Sequence, residues 1–232
     1  MGLCPKHMGK QLVKSDNHSL QNNFLEKFFS GRFAKDFYLT GGTALGRFLL
    51  KHRESIDLDL FTNNQNIDFS DLNFAILKIL EDLRLKVSKQ VATKTFLQYI
   101  CEGRGGLSLK IDVVKDIPVH FGKIITKGNI RLDSLENIGS NKILAVFGRS
   151  DAKDFIDLYF MLTKTRLKFD YLYGLAKQKD LGLSEFYLAN SIRQIEEITV
   201  YPQMLKQFNK IQMLKFYKDL SKKLLAKIKP KE

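Results

Sequence analysis

Residues 38–61 constrain the fold more than any other part of the chain, because three local patterns follow one another there. The sequence is YLTGGTALGRFLLKHRESIDLDLF. A short apolar run precedes Gly41-Gly42, apolar residues then recur at helical spacing over 44–49, and apolar and acidic residues alternate over 56–60. This stretch therefore predicts a strand, a glycine turn, a helix and a second strand.

The glycine turn and the second strand both suggest chemistry. Gly41 and Gly42 stand at the start of a helix, where they let a ligand approach the backbone and leave the first N–H groups able to hold a phosphate. A strand has a side-chain period of two, so Asp57 and Asp59 share a face with Cα atoms about 6.5 Å apart. Carboxylates among apolar strand residues need compensating charge, and magnesium with a bound triphosphate would supply it.

A third acidic residue lies on a later strand-like segment. Two apolar runs, 85–92 and 95–101, are followed by a glycine-rich turn and a third run, 107–114, which predicts a mixed sheet. Asp112 stands in the third run among aliphatic and β-branched neighbours. By the same charge argument it requires either a cation or a cluster of hydrogen bonds.

The two motifs of residues 41–61 resemble a known family. Gly-Gly-Thr-Ala-Leu, followed after a helix by His-Arg-x-Ser-x-Asp-Leu-Asp-Leu-Phe, is similar to the nucleotidyltransferase-fold toxins of the AbiEii/AbiGii group, relatives of the DNA polymerase beta superfamily. The resemblance implies an α+β fold, with a mixed β-sheet of nucleotidyltransferase type and flanking helices, followed by a helical C-terminal part.

The same resemblance implies an activity and a biological role. It implies a magnesium-dependent enzyme that moves an NMP from an NTP to an acceptor hydroxyl and releases pyrophosphate, with the 3′ end of tRNA as one candidate acceptor. It also implies the toxin of a type IV toxin–antitoxin or abortive-infection system. The antitoxin of such a system is encoded nearby and need not contact the toxin.

Site residues follow from the resemblance as well. Asp57, Asp59 and Asp112 would form one metal triad for two Mg²⁺ ions, with Asp112 helping to take the proton from the attacking hydroxyl. The segment Arg149-x-x-x-Lys153-Asp154-x-x-Asp157 resembles a further motif of the family, a basic residue and an aspartate on one helix face. The remaining predicted contacts to the nucleotide or the transferring phosphate come from Gly41, Gly42, Thr43, Arg53, Ser55, Lys142, Lys153, Asp154 and Asp157.

The chain divides near residue 133 in this prediction, into a catalytic α/β domain (1–133) and a helical domain (134–232). Helices are predicted at 72–83, 135–147 and 152–163, and a hairpin turns at 127–129. The beginning of the chain is predicted as an irregular lead-in over 1–19 and a helix over 22–33.

The charge favours a polyanionic partner. Lysine and arginine number 38 against 25 acidic residues, a formal net charge of +13. The last stretch, 202–232, predicts an amphipathic helix with a basic outer face. Two interpretations of that face remain open, a groove for an RNA backbone and a solvated surface.

Composition excludes several other classes. Cys4 and Cys101 are too few for a disulfide framework or a cysteine-based zinc site, and neither has the surroundings of a nucleophile. No apolar run approaches the roughly 18 residues of a membrane span. We expect a soluble cytoplasmic protein without a membrane partner. The alternatives that stay open are a non-catalytic nucleotide- or RNA-binding basic module, and an enzyme that modifies a protein or a small molecule.

Overall fold

The computed structural model describes residues 5–228, with side chains from Asn17 onward. Cys4 and the last residues of the predicted basic stretch therefore lie outside the described part. The chain forms two compact units by its internal contacts. Unit 1 comprises Met1–Thr43, Ile56–His120 and Ile124–Asp133, and unit 2 comprises Ala44–Ser55, Phe121–Lys123 and Ser134–Glu232.

Unit 1 is built on a mixed sheet whose described strands have the order β3-β4-β5-β2-β1-β7-β6. The strands are β1 Tyr38–Thr40, β2 Asp57–Thr62, β3 Lys86–Ala92, β4 Phe96–Glu102, β5 Ser108–Lys115, β6 Ile125–Lys127 and β7 Ile130–Leu132. The pairs β2–β5 and β1–β7 are parallel, and the other neighbouring pairs are antiparallel. The strand predictions are confirmed, including the hairpin, where Gly128 has a positive φ of 59°.

The two faces of the sheet differ in polarity because the strand side chains alternate. On β2, Leu58, Leu60 and Thr62 are fully buried, whereas Asp57 and Asp59, which alternate with them, are partly exposed. The buried face is covered by helices α1 (Pro5–Phe29) and α3 (Phe69–Asp82), which contact strands β3, β4, β5 and β7. The apolar face thus packs into the core of unit 1, and the face that carries the aspartates stays partly exposed.

Helix α1 begins earlier than the sequence pattern indicates. It starts at Pro5, so the prediction of an irregular lead-in is wrong for residues 5–19. The pattern misses this part because it lacks the apolar stripe by which an amphipathic helix is recognised. Helix α3 is confirmed near its predicted position, and the Asp68 side chain caps it by accepting hydrogen bonds from the amides of Ser70 and Asp71.

Unit 2 is helical. A single turn, α2 (Gly41–Thr43), ends the first segment of unit 1 and is followed in the chain by a π-helical segment, Ala44–Leu49, which belongs to unit 2. The longer helices are α4 Leu135–Gly148, α5 Ala152–Lys164, α6 Phe169–Lys179, α7 Glu185–Arg193 and α8 Lys210–Ile228. Ser134, Asp151 and Ser184 cap α4, α5 and α7 through their side chains.

The amphipathic pattern of the last helix is confirmed over its described length. Met213, Tyr217 and Leu224 are buried in the core of unit 2, and the lysines of α8 are exposed. Tyr217 also donates a hydrogen bond to the carbonyl of Phe155, at 2.6 Å, which ties α8 to α5. Within residues 5–228, no helix is both long and apolar enough to cross a membrane.

Candidate active site

The structure brings the three predicted metal-binding aspartates together on one face of the unit 1 sheet. Asp57 and Asp59 lie on β2, and Asp112 lies on the neighbouring parallel strand β5, where it is the direct register partner of Asp59. Asp57 pairs in the same way with Lys110. Neighbouring strands are about 4.8 Å apart, so the carboxylates lie within one small patch.

Two side chains hold the Asp112 carboxylate. Gln98, the register partner of Asp112 on β4, donates to Oδ1 at 2.8 Å, and the Lys110 ammonium donates to Oδ2 at 2.8 Å. The same ammonium lies 3.8 Å from Asp57 Oδ2. Burial alone would lower the pKa of Lys110, but its hydrogen bond to Asp112 and the charges of Asp57, Asp112 and Asp59 raise that pKa overall.

Lys110 thus lies among the carboxylates as a positive charge. In the described part of the chain, no three His, Cys, Asp or Glu side chains already converge as the ligands of a metal ion. Neither Lys110 nor Gln98 was predicted from the sequence. Lys110 could have been found from its position two residues before Asp112, which puts both side chains on one strand face.

The glycine turn packs directly against the acidic strand. Gly41 has a φ of 66°, in the left-handed region, and a Cβ at this position would collide with the Asp59 carboxylate, 2.9 Å from its Cγ. Thr43 is buried, and its hydroxyl donates to the backbone carbonyl of Asp57. The turn and the aspartates therefore form one local structure, in which glycine is required by both space and backbone conformation.

The predicted residues of unit 2 form a buried ionic network around Asp157. This carboxylate is fully buried. It accepts hydrogen bonds from Arg53 Nε and Nη2, both at 2.7 Å, and from His52 Nε2 at 2.8 Å, and its Oδ2 lies 2.6 Å from Lys142 Nζ. Burial by itself would raise the pKa of Asp157, but Lys142, His52 and Arg53 lower it well below the usual range.

Asp154, three positions before Asp157 on α5, extends the network by about one helical turn. Its Oδ1 accepts a hydrogen bond from Lys142 at 2.7 Å and its Oδ2 one from Arg149 at 2.7 Å. Burial opposes ionisation, yet Lys142 and Arg149 lower the pKa of Asp154. Lys142 is therefore bonded to two buried carboxylates, and their charges raise its pKa against the effect of burial.

The other predicted residues of unit 2 have different surroundings. Lys153 lies 3.3 Å from Asp151, and both side chains are 40% exposed. Ser55 is partly buried. His52 is fully buried and contacts Asp157. Its second ring nitrogen, Nδ1, has no hydrogen-bond partner among the described residues.

The backbone that carries His52 and Arg53 is anchored within unit 2. The carbonyl of His52 accepts from the amides of Leu205 and Lys206, at 2.8 and 3.1 Å, and the Glu54 amide donates to Gln203 at 2.9 Å. Residues far apart in sequence thus fix the position of the Arg53 guanidinium.

A second polar cluster in unit 1 was missed by sequence analysis. Asp133 is fully buried, and it accepts hydrogen bonds from Thr40 at 2.5 Å and from His120 Nε2 at 2.9 Å. Thr40 directly precedes the glycine turn. No local sequence signal joins these residues, because they are separated by up to 93 positions.

Solved structures with this fold include nucleotidyltransferases. A proposed nucleotidyltransferase from Helicobacter pylori has a TM-score of 0.60 at 17% identity, over 93% of this chain and 97% of that one. JHP933 from Helicobacter pylori has a TM-score of 0.58 at 15% identity, over 98% and 95%. MenT4, the nucleotidyltransferase toxin Rv2826c of Mycobacterium tuberculosis H37Rv, has a TM-score of 0.52 at 10% identity, over 97% and 94%. These matches confirm the α+β nucleotidyltransferase fold.

The sequence matches a known protein family over most of its length. The model described as "Nucleotidyl transferase AbiEii toxin, Type IV TA system" matches residues 23–228, so the protein is a nucleotidyltransferase. The chain belongs to the AbiEii family of type IV toxin–antitoxin systems, as the motifs of residues 41–61 predicted. The uncharacterized protein aq_aa25 of Aquifex aeolicus is 26% identical over 186 residues, which are 76% of this chain and 82% of that protein.

Proposed function

We propose that this toxin transfers an NMP from an NTP to the 3′ hydroxyl of a tRNA, with magnesium, and releases pyrophosphate. The observation that carries the proposal is the register of β2 and β5. It aligns Asp59 with Asp112 and puts Asp57 on the same face, directly beside the glycine turn.

The donor set fits Mg²⁺. Carboxylate oxygens are the hard ligands that this ion prefers, and Asp57, Asp59 and Asp112 offer three carboxylates on adjacent strands. We propose that these residues hold two ions, which would stabilise charge on the attacking and leaving oxygens. Asp112 is half-buried and receives hydrogen bonds on both oxygens, so it is oriented before any substrate binds. It would help to take the proton from the acceptor hydroxyl.

The glycine turn would seat the β and γ phosphates. Gly41 and Gly42 are partly exposed and carry no side chain that would keep phosphate oxygens from the backbone amides. Thr43 is the third residue that the family resemblance assigns to this role. Its hydroxyl supports β2 in the structure, so we propose that Thr43 contributes chiefly its backbone N–H.

We retain the unit 2 residues as proposals for the nucleotide and the transferring phosphate. Lys153 has a side chain that is 40% exposed, and a phosphate could compete with Asp151 for its ammonium group. Lys142, Asp154, Asp157 and Arg53 are paired with one another, which supports a role in fixing the geometry of unit 2. Ser55 completes the set that the family motif suggests.

An RNA acceptor is supported by charge. The chain carries +13 net charge, and the exposed lysines of α8 add a basic helix face. We propose that the enzyme acts in the cytoplasm, where NTP, Mg²⁺ and tRNA are available. Its antitoxin would be genetically linked, and direct contact between the two proteins would not be obligatory.

The decisive experiment incubates the purified protein with each α-labelled NTP, MgCl₂ and total tRNA. We expect label to appear on tRNA with one preferred NTP, and transfer to disappear in the double variant Asp57→Asn/Asp59→Asn. The matched control is Asp71→Asn/Asp82→Asn. It removes the same number of charges from the exposed side of α3, where each carboxylate forms a surface ion pair.

The control variant should retain transfer. Transfer by the Asp57→Asn/Asp59→Asn variant at the wild-type rate would refute the assignment of the site. If the wild type labels a protein or a small molecule instead of tRNA, the acceptor in this proposal is wrong.

A further inference from the structure

We infer that Lys110 is a built-in counter-cation of the active site, which must leave the carboxylates when divalent metal binds and so keeps the nucleotide-free enzyme low in metal affinity. This inference rests on the proposed function, because it takes Asp57 and Asp112 as metal ligands.

The geometry supports direct competition. The Lys110 ammonium donates to Asp112 Oδ2 at 2.8 Å and lies 3.8 Å from Asp57 Oδ2. One positive charge therefore bridges two carboxylates on neighbouring strands, the arrangement that a metal ion would otherwise provide. A metal that takes Asp112 Oδ2 as a ligand competes with the ammonium, since two cations held at one carboxylate oxygen repel each other.

The position of Lys110 is fixed by the strand and not by chance contact. Lys110 lies on β5 two residues before Asp112 and in register with Asp57, so the backbone holds its Cα beside both carboxylates. Its side chain is 35% exposed, compared with 32% for Asp57 and 17% for Asp112. The long flexible stem allows the ammonium to swing toward solvent without moving the strand.

Displacement also gives Lys110 a second role. Once released, the ammonium remains tethered at the site where the triphosphate is proposed to bind, and a lysine is a mobile point charge suited to phosphate oxygens. Metal and NTP would then bind cooperatively, because the nucleotide provides a new partner for the cation that the metal expels.

The test measures the affinity of the full-length protein for Mn²⁺ in the absence of nucleotide. Binding is monitored through the electron paramagnetic resonance signal of Mn²⁺. We expect Lys110→Met to bind Mn²⁺ about 10-fold more tightly than the wild type, within the range of roughly 5- to 150-fold typical of coupled sites. Lys110→Arg keeps the charge and should bind Mn²⁺ like the wild type.

The matched control is Lys89→Met. Lys89 is an exposed lysine on β3. Ile100 of β4 is the register partner of both Lys89 and Lys110, so the Cα atoms of the two lysines lie two strand spacings, or about 10 Å, apart. Removing this charge changes the net charge equally but leaves the carboxylates with their counter-ion. At 0.15 M salt its effect should be largely screened.

Wild-type-like or weaker Mn²⁺ affinity in Lys110→Met overturns the inference, and so does an equal gain in Lys89→Met. Adding NTP should tighten Mn²⁺ binding more in the wild type than in Lys110→Met, and an equal gain in both also contradicts it. The transfer assay separates the two proposals. Tighter Mn²⁺ binding by Lys110→Met with no transfer by the wild type would refute the reaction alone, and transfer without tighter binding would refute the inference alone.

Discussion

Replacing Asp157 by asparagine tests whether the unit 2 network is a structural element. The substitution keeps the shape of the side chain but removes a fully buried negative charge. Arg53 then loses both of its carboxylate contacts, and Lys142 keeps only Asp154, which it shares with Arg149. Two buried cations would be left with one buried anion.

Because of that imbalance, Asp157→Asn is expected to lower the free energy of unfolding. Breaking a buried ion pair from one side costs about 3–5 kcal/mol, because the remaining charge is desolvated and uncompensated. We place Asp157→Asn in this range, since its carboxylate receives three hydrogen bonds at 2.7–2.8 Å and a fourth contact at 2.6 Å. In a protein of this size, 1 kcal/mol corresponds to about 2–4 °C in Tm, so Tm should fall by roughly 6–20 °C.

The assay is urea and thermal unfolding followed by circular dichroism, without metal or nucleotide, so that catalysis does not enter. Asp170→Asn is the control. Asp170 is 77% exposed and bonds the exposed Lys227 at 2.7 Å, and losing that pair should cost no more than about 1 kcal/mol. Adding Arg53→Met to Asp157→Asn should cost less than Arg53→Met alone, with a coupling of about 0.5–3 kcal/mol.

The structural role of Asp157 is excluded if the free energy of unfolding of Asp157→Asn lies within about 1 kcal/mol of the wild-type value, or if the effects of Asp157→Asn and Arg53→Met simply add. Either result would mean that the buried charges find other partners or solvent.

Three further predictions concern pH, the glycine turn and the thiol. Because the pKa values of Asp154 and Asp157 are lowered in the folded protein, the stabilisation of the fold by these carboxylates is complete above about pH 4 and is lost as the pH falls further. Free energies of unfolding measured from pH 7 to pH 3 should show this loss, and an equally steep decline in Asp157→Asn would contradict it. Gly41→Ala should reduce transfer by about 100-fold, since its Cβ displaces the Asp59 carboxylate, and should cost about 1–2 kcal/mol in urea unfolding for its positive φ. Gly174→Ala, whose Cβ meets open space, serves as its control, and equal activity of the two variants would exclude the close approach. Burial raises the pKa of Cys101 to about 11. In a variant that lacks Cys4, a thiol reagent at pH 8 should therefore react with Cys101 only after unfolding, and rapid reaction of the folded protein would show that the thiol is accessible.

The sequence predicted much of unit 1 because its signals are local. Alternation over 56–60 gave the acidic and apolar faces of β2, and the isolated position of Asp112 among apolar residues marked β5. The hairpin turn was also visible, since it depends on a few consecutive residues. These features need no knowledge of the rest of the chain.

The remaining features depend on contacts between distant residues. Arg53 was predicted from its motif, but its bonds to Asp157 span 104 positions and no local pattern indicates them. The same is true of Asp133, whose partner Thr40 is 93 positions away. Lys110 was overlooked for another reason, since a lysine on a half-exposed strand is common and its meaning comes only from the carboxylates beside it.

The interleaving of the two units limits how such a gene can be rearranged. Residues 44–55 are inserted between parts of unit 1 in the sequence but belong to unit 2. A chimera joined at residue 133 would take its helical half, with the buried Asp157, from one parent. It would take Arg53, which bonds Asp157, from the other parent. Any such chimera must therefore keep Arg53 and Asp157 together, although they lie 104 positions apart in the sequence.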